Sequence, residues 1–122
     1  MTYARLRLGE RGETMACDEL ESRGYAIVER RFRTRFGEID VVAHDGGTLV
    51  FVEVKTKTDS SFSDPVESVT KRKQQRLVSM AEQFVAHHGI TEMPCRFDIV
   101  TVDISVTPSK IVVYQDAFRP GW

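Results

Sequence analysis

Between Gly12 and Gly24 the apolar positions recur at helical spacing. In GETMACDELESRG, Glu13, Cys17 and Leu20 share one stripe, and Gly24 is a natural stop. The period then changes. YAIVERRFR, GEIDVVAH and TLVFVEVK read as strands; the first carries a basic tail, and the other two are joined through DGG, a strong hairpin signal. TDSSFSDP reads as a polar loop. Thr70 is placed to cap a helix from Lys71 to about His88, with Leu77, Ala81, Phe84 and His88 on one stripe and Gly89 as its end. CRFDIVTVD and KIVVYQ read as two further strands, and the tail DAFRPGW lacks periodicity. The order helix, three strands, helix, two strands predicts an α/β or α+β sandwich, a small mixed sheet flanked by helices.

At 122 residues the chain fits one domain, 1–122, with a single core. Hydrophobic residues make up 41% and charged residues 29%, an ordinary globular balance. No apolar run approaches the roughly 20 residues of a membrane span, and MTYARLRLGERGE has no apolar stretch of a signal peptide, so the expected location is the cytoplasm. Cys17 and Cys95 form no CxxC or Cys/His spacing and read as small reduced hydrophobes. His44, His87 and His88 make no ligand spacing either, which argues against zinc, and no Gly-rich phosphate loop or nucleophile elbow is present. Net charge is −1, so nothing pulls the whole molecule toward nucleic acid.

The charges are nonetheless locally sorted. Side chains alternate along a strand, so Glu53 and Lys55 in FVEVK point the same way. If Gly46 and Gly47 form the hairpin loop, Asp45 faces Thr48, Asp40 lies opposite Glu53, and Glu38 lies opposite Lys55, so that these four ionisable groups share one face of the two strands. Ile39, Val52 and Val54 would then fill the other face. An Asp45–Gly46 loop would slide the register by two and set Glu38 against Glu53. Opposed carboxylates repel. A hard dication relieves that, because Mg²⁺ takes one or two carboxylates together with waters and phosphate oxygens. Lys55 beside them is suited to hold a phosphate oxygen or orient a water. The pattern suits metal-assisted phosphodiester hydrolysis; the bland alternative is a salt-bridge cluster on a solvated sheet face.

GEID followed by FVEVK after a short hairpin resembles the PD-(D/E)-x-K nuclease superfamily, with Asp40 at the first motif's aspartate and Glu53 and Lys55 at its E-x-K; Ile39 stands where that motif has proline. More closely, the chain resembles the YraN-like bacterial proteins of uncharacterised function, through GERGE, ESRGY, RFGEIDVVA, LVFVEVKTKT, DPVESVTKRKQQRL and PCRFDIV, which span nearly its whole length. The layout is more distantly similar to archaeal Holliday-junction resolvases. The resemblance implies a restriction-endonuclease-like core of helix, three strands, helix and strand. It also implies Mg²⁺ or Mn²⁺ and a nucleic-acid substrate, DNA foremost. Asp40 and Glu53 would hold the metal, with the Val54 carbonyl as a further ligand and Glu13 matching a glutamate on the resolvases' first helix. A resolvase-like activity would favour a symmetric homodimer. The same fold can instead bind branched or single-stranded nucleic acid without cutting it, or serve protein interaction with a vestigial site.

Other residues carry two readings each. Glu13 stands beside Glu10, Asp18, Glu19 and Glu21, so a solvated acidic helix is the simpler account. Glu38 binds metal or pairs with Lys55. Arg30, Arg31, Arg33 and Arg35 form one basic run; Lys71, Arg72, Lys73 and Arg76 form another, in the first turns of the second helix. Either run can be a solvated face, but two runs flanking a carboxylate-rich strand pair offset its repulsion of DNA. Backbone N–H groups at a helix start, with lysines, make a phosphate site, and Gln74 and Gln75 add polar contacts. Phe32 and Phe36, interleaved with arginines, serve the core or stack on unpaired bases.

Overall fold

The computed structural model describes residues 3–59 and 64–120. Part of the polar loop TDSSFSDP, residues 60–63, and the last two residues of the tail lie outside the described residues. Helix α1 (Tyr3–Ser22) is followed by strands β1 (Ala26–Thr34), β2 (Gly37–Asp45) and β3 (Thr48–Lys57), helix α2 (Lys71–His87), and strands β4 (Cys95–Asp103) and β5 (Lys110–Tyr114). This is the expected order. The five strands lie in sequence order across one open sheet, antiparallel except for the β3–β4 pair, which α2 connects.

Two apolar layers hold the helices on opposite faces. Cys17 and Leu20 of α1 pack with Tyr25, Val41, Val50, Val52, Val100 and Val102. Leu77, Met80, Ala81 and Phe84 of α2 pack with Ile39, Val42, Leu49, Phe51, Phe97 and Ile99. Alternation along β3 explains the split: Leu49 and Phe51 face α2, and Val50 and Val52 face α1.

Helix α1 starts nine residues before the periodic stretch that announces it. Gly9 and Gly12 weaken the helical signal there. Gly12 is needed, because a Cβ at that position would collide with Thr56 Oγ1 on β3. The helix ends with Gly24 at φ 93° and the Tyr25 N–H donating to the Leu20 carbonyl at 3.0 Å. At the start of α2, Thr70 Oγ1 accepts from the Lys73 N–H, as its sequence position predicts. Cys17 and Cys95 are free thiols, both raised in pKa by burial, which keeps them protonated. Among the described residues no helix is long and apolar enough to cross a membrane.

Candidate functional site

Asp45 faces Thr48, so Gly46 and Gly47 make the β2–β3 loop, and the paired ladder runs from there to Val41–Val52. The next facing pair by count is Asp40 and Glu53, and there the ladder ends. The Asp40 carboxylate takes over: Oδ2 accepts the Val54 N–H at 2.7 Å. A side chain thus accepts the hydrogen bond where a continued ladder would offer a backbone carbonyl.

The cause is visible on β1. Arg31 has φ 56°, rare for a residue with a side chain, and by count it faces Asp40. This break reverses the alternation on both strands. Phe32 and Ile39 turn toward α2, while Arg30 and Val41 lie on the α1 side. The expectation that Ile39 shares a face with Val52 and Val54 is therefore corrected: Ile39 lies in the α2 layer, Val52 and Val54 in the α1 layer.

The expectation that Asp40, Glu53, Glu38 and Lys55 share one face is corrected as well: the break sends Asp40 to the α1 side while alternation along β3 keeps Glu53 on the α2 side, so the two carboxylates line different cavities. Asp40 lines one of about 410 Å³ on the α1 side, with Glu10, Glu13, Arg31, Glu38 and Val54. Glu53 lines one of about 150 Å³ on the α2 side, with Lys73, Arg76, Leu77 and Met80. Glu38 borders both. Asp40 still feels the Glu53 charge. Burial first, then the Glu53 charge, push its carboxyl up to about 7 against the Val54 hydrogen bond. Burial also raises Glu53, which the charges of Lys55 and Lys73 oppose. Burial lowers Lys55, which Glu53 partly offsets. The four groups form one coupled electrostatic unit.

Glu13 is committed elsewhere. It is 7% exposed and accepts from Arg30 Nε and Arg31 Nε, each at 3.1 Å. Neighbours on a regular strand cannot reach one partner on the same side; the positive φ of Arg31 permits it. Arg31 also reaches Glu10 at 3.4 Å. Glu38 pairs with Arg33 Nε at 3.4 Å, and this replaces the expected Lys55 partner. Among the described residues no group of three or more His, Cys, Asp or Glu side chains is arranged to hold a metal. Asp40 and Glu53 are the two carboxylates of the strand pair whose charges couple.

Lys71, Arg72, Lys73 and Arg76 are exposed over the first turns of α2, where no acidic residue stands. Lys73 is the member whose charge reaches Glu53 and Lys55. Arg33 and Arg35 are exposed on and just beyond β1. The two phenylalanines separate: Phe32 meets Phe84 edge-on at 5.1 Å in the core, whereas Phe36 stays 39% exposed.

One polar constellation has no counterpart in the sequence reading. Asp98, 1% exposed, accepts from Tyr25 Oη at 2.8 Å, Arg96 Nε at 2.9 Å and the Asp116 N–H at 2.9 Å. Arg96 Nη2 also donates to Asp45 and to Tyr25 Oη, each at 2.9 Å, and Gln115 Nε2 donates to the same hydroxyl at 2.8 Å. Desolvation and Asp98 push Tyr25 up to about 12. The cluster ties the start of β1, the end of β2, β4 and the turn after β5. Its signal was present: Arg96 and Asp98, two apart in an apolar strand, repeat the logic of Glu53 and Lys55.

The family model described as "Uncharacterised protein family UPF0102" matches residues 12–102. The chain is 40% identical over 117 residues to a UPF0102 protein of Dehalococcoides mccartyi, covering 96% of this chain and 97% of that one. It is 48% identical over 97 residues to a UPF0102 protein of Symbiobacterium thermophilum, covering 80% and 82%. A UPF0102 protein of Moorella thermoacetica is 43% identical over 102 residues, covering 84% and 85%.

Proposed function

The chain belongs to the uncharacterised protein family UPF0102, the YraN-like group, and we propose that it is a metal-dependent nuclease-like protein that binds DNA and hydrolyses its phosphodiester bonds. The observation that carries this reading is Asp40. A carboxylate buried beside a second one, with its pKa pushed up to about 7, is an expensive arrangement that a hard cation relieves. The donors fit Mg²⁺ or Mn²⁺, being all oxygen and few enough to leave room for waters and a phosphate oxygen. Although they line different cavities, Asp40 and Glu53 still couple electrostatically, and together they would hold the ion, with the Val54 carbonyl as a third donor. When bound, such an ion lowers the pKa of a coordinated water and neutralises charge on the reacting phosphate.

The chain's own groups do the rest. Lys55, half-buried and beside Glu53, orients water and a phosphate oxygen. The start of α2, with Lys71, Lys73 and Arg76, holds the nucleic-acid backbone. The helix, three-strand, helix, strand order agrees with a restriction-endonuclease-like core. A second reading, a module that binds nucleic acid without cutting it, draws on the two arginines that occupy Glu13 and leave two carboxylates for a metal.

The test is cleavage of labelled duplex, single-stranded and branched DNA with Mg²⁺ and Mn²⁺, beside thermal melting. Lys55→Ala should keep the metal-induced rise in Tm and lose cleavage. Neutralising Lys71, Lys73 and Arg76 together should weaken binding and lower its salt slope by about 0.9 for each lost phosphate contact. DNA binding by the wild type without cleavage and without any metal-induced shift would retire the nuclease in favour of the binding module.

A further inference from the structure

Strands β1 and β2 are joined by two residues, Arg35 and Phe36, with Thr34 facing Gly37 across the turn. The turn is held by one side chain. Thr34 Oγ1 accepts the Phe36 N–H at 3.0 Å and donates to the Gly37 carbonyl at 3.1 Å. Gly37 has φ 129°, and a Cβ added there would lie 3.9 Å from Met80 Sδ, so the tip runs close to α2. This tip carries a large apolar ring, 39% exposed, although Phe32, four residues earlier, shows that the core accepts phenylalanine readily.

The surroundings of the ring are chemically specific. The Arg35 guanidinium lies over it, 4.9 Å from the centroid. Phe36 also forms a wall of the small α2-side cavity, together with Glu53, Lys73, Arg76, Leu77 and Met80. An aromatic wall, apolar depth, two exposed cations at the rim and a volume of only about 150 Å³ suit one planar base with its phosphate outside. Bases stacked inside a duplex cannot present a face to a side chain on a turn. An unpaired or splayed base can.

We propose that Phe36 is a base-stacking residue that makes this protein select nucleic acid with an unpaired nucleotide, seating that base beside Glu53. The inference rests on the nucleic-acid-binding part of the reading above and is independent of cleavage. Glu53 and Lys73 on the same cavity wall place the stacked base next to the candidate reaction centre, so the preference concerns the nucleotide at the site of action.

The experiment measures binding of the full chain in EDTA, where no cleavage occurs. Probes are a single-stranded oligonucleotide, a blunt duplex and a branched duplex with unpaired bases, each carrying 2-aminopurine. The wild type should prefer the single-stranded and branched probes and quench their fluorescence. Phe36→Ala should bind those two about 5- to 150-fold more weakly, the loss of one base stack, and should no longer quench; its duplex affinity should not change. Phe36→Trp should restore both affinity and quenching. Unchanged single-strand affinity in Phe36→Ala, or equal losses on all three probes, would overturn the inference and leave nucleic-acid binding standing. Absence of binding to every probe by the wild type would overturn both.

Discussion

Replacing Asp40 by asparagine should make the metal-free protein more stable above pH 7. Burial and the Glu53 charge push the Asp40 carboxyl up to about 7 in the folded protein against an ordinary 3.8. At about 1.4 kcal/mol per unit, holding it ionised in the fold costs at most about 4 kcal/mol. Its pKa is raised on folding, so between about pH 4 and pH 7 the folded chain keeps a proton that the unfolded chain releases. Wild-type stability from this group is therefore highest below about pH 4, falls through that window, and is flat above it. Asparagine removes the charge and keeps an oxygen that can accept the Val54 N–H. With the solvent that reaches the cavity mouth screening part of the charge, the expected gain is about 1–3 kcal/mol at pH 8 in EDTA, shrinking to nothing near pH 4. For a domain of this size that is roughly 3–5 °C per kcal/mol. Urea unfolding of both proteins from pH 4 to 9 in EDTA reads the difference directly. Mg²⁺ should then close or reverse that difference, because a ligand at 100 times its Kd adds about 2.7 kcal/mol to the wild type alone. An asparagine variant less stable than wild type at pH 8 without metal would refute the argument that Asp40 is held at a cost.

Tyr25→Phe should destabilise by about 2–4 kcal/mol, since it takes a donor from the buried Asp98 and an acceptor from Arg96 and Gln115; a change under about 0.5 kcal/mol in urea would contradict the account of that cluster. The same Tyr25 should stay protonated up to about pH 12, which ultraviolet titration of wild type against the variant would resolve. Gly12→Ala should cost about 1–3 kcal/mol despite its better helix propensity, because the new methyl meets Thr56 Oγ1; the double variant with Thr56→Ala, which removes that oxygen, should recover part of the loss, and additive effects would argue against that contact.

Much of the architecture is written in local patterns. The change from helical to alternating period separates α1 from β1, Gly24 and Thr70 mark helix ends, and the glycine pair sets the β2–β3 register that brings Asp40 level with Glu53. These features depend on neighbours in the chain, so they can be read from it. Three features cannot. The length of α1 is masked by a glycine whose purpose lies on β3. The reversal of alternation at Arg31 and Asp40 arises because α1 presents Glu13 to β1, and the gain of two charge-assisted hydrogen bonds holds a backbone angle that no local rule predicts. The fates of like residues also part: Phe32 and Phe36 have similar arginine neighbours, yet one meets Phe84 in the core and the other stands on a turn. In each case the deciding partner is distant in sequence, and only packing one helix on each face of the sheet brings it near.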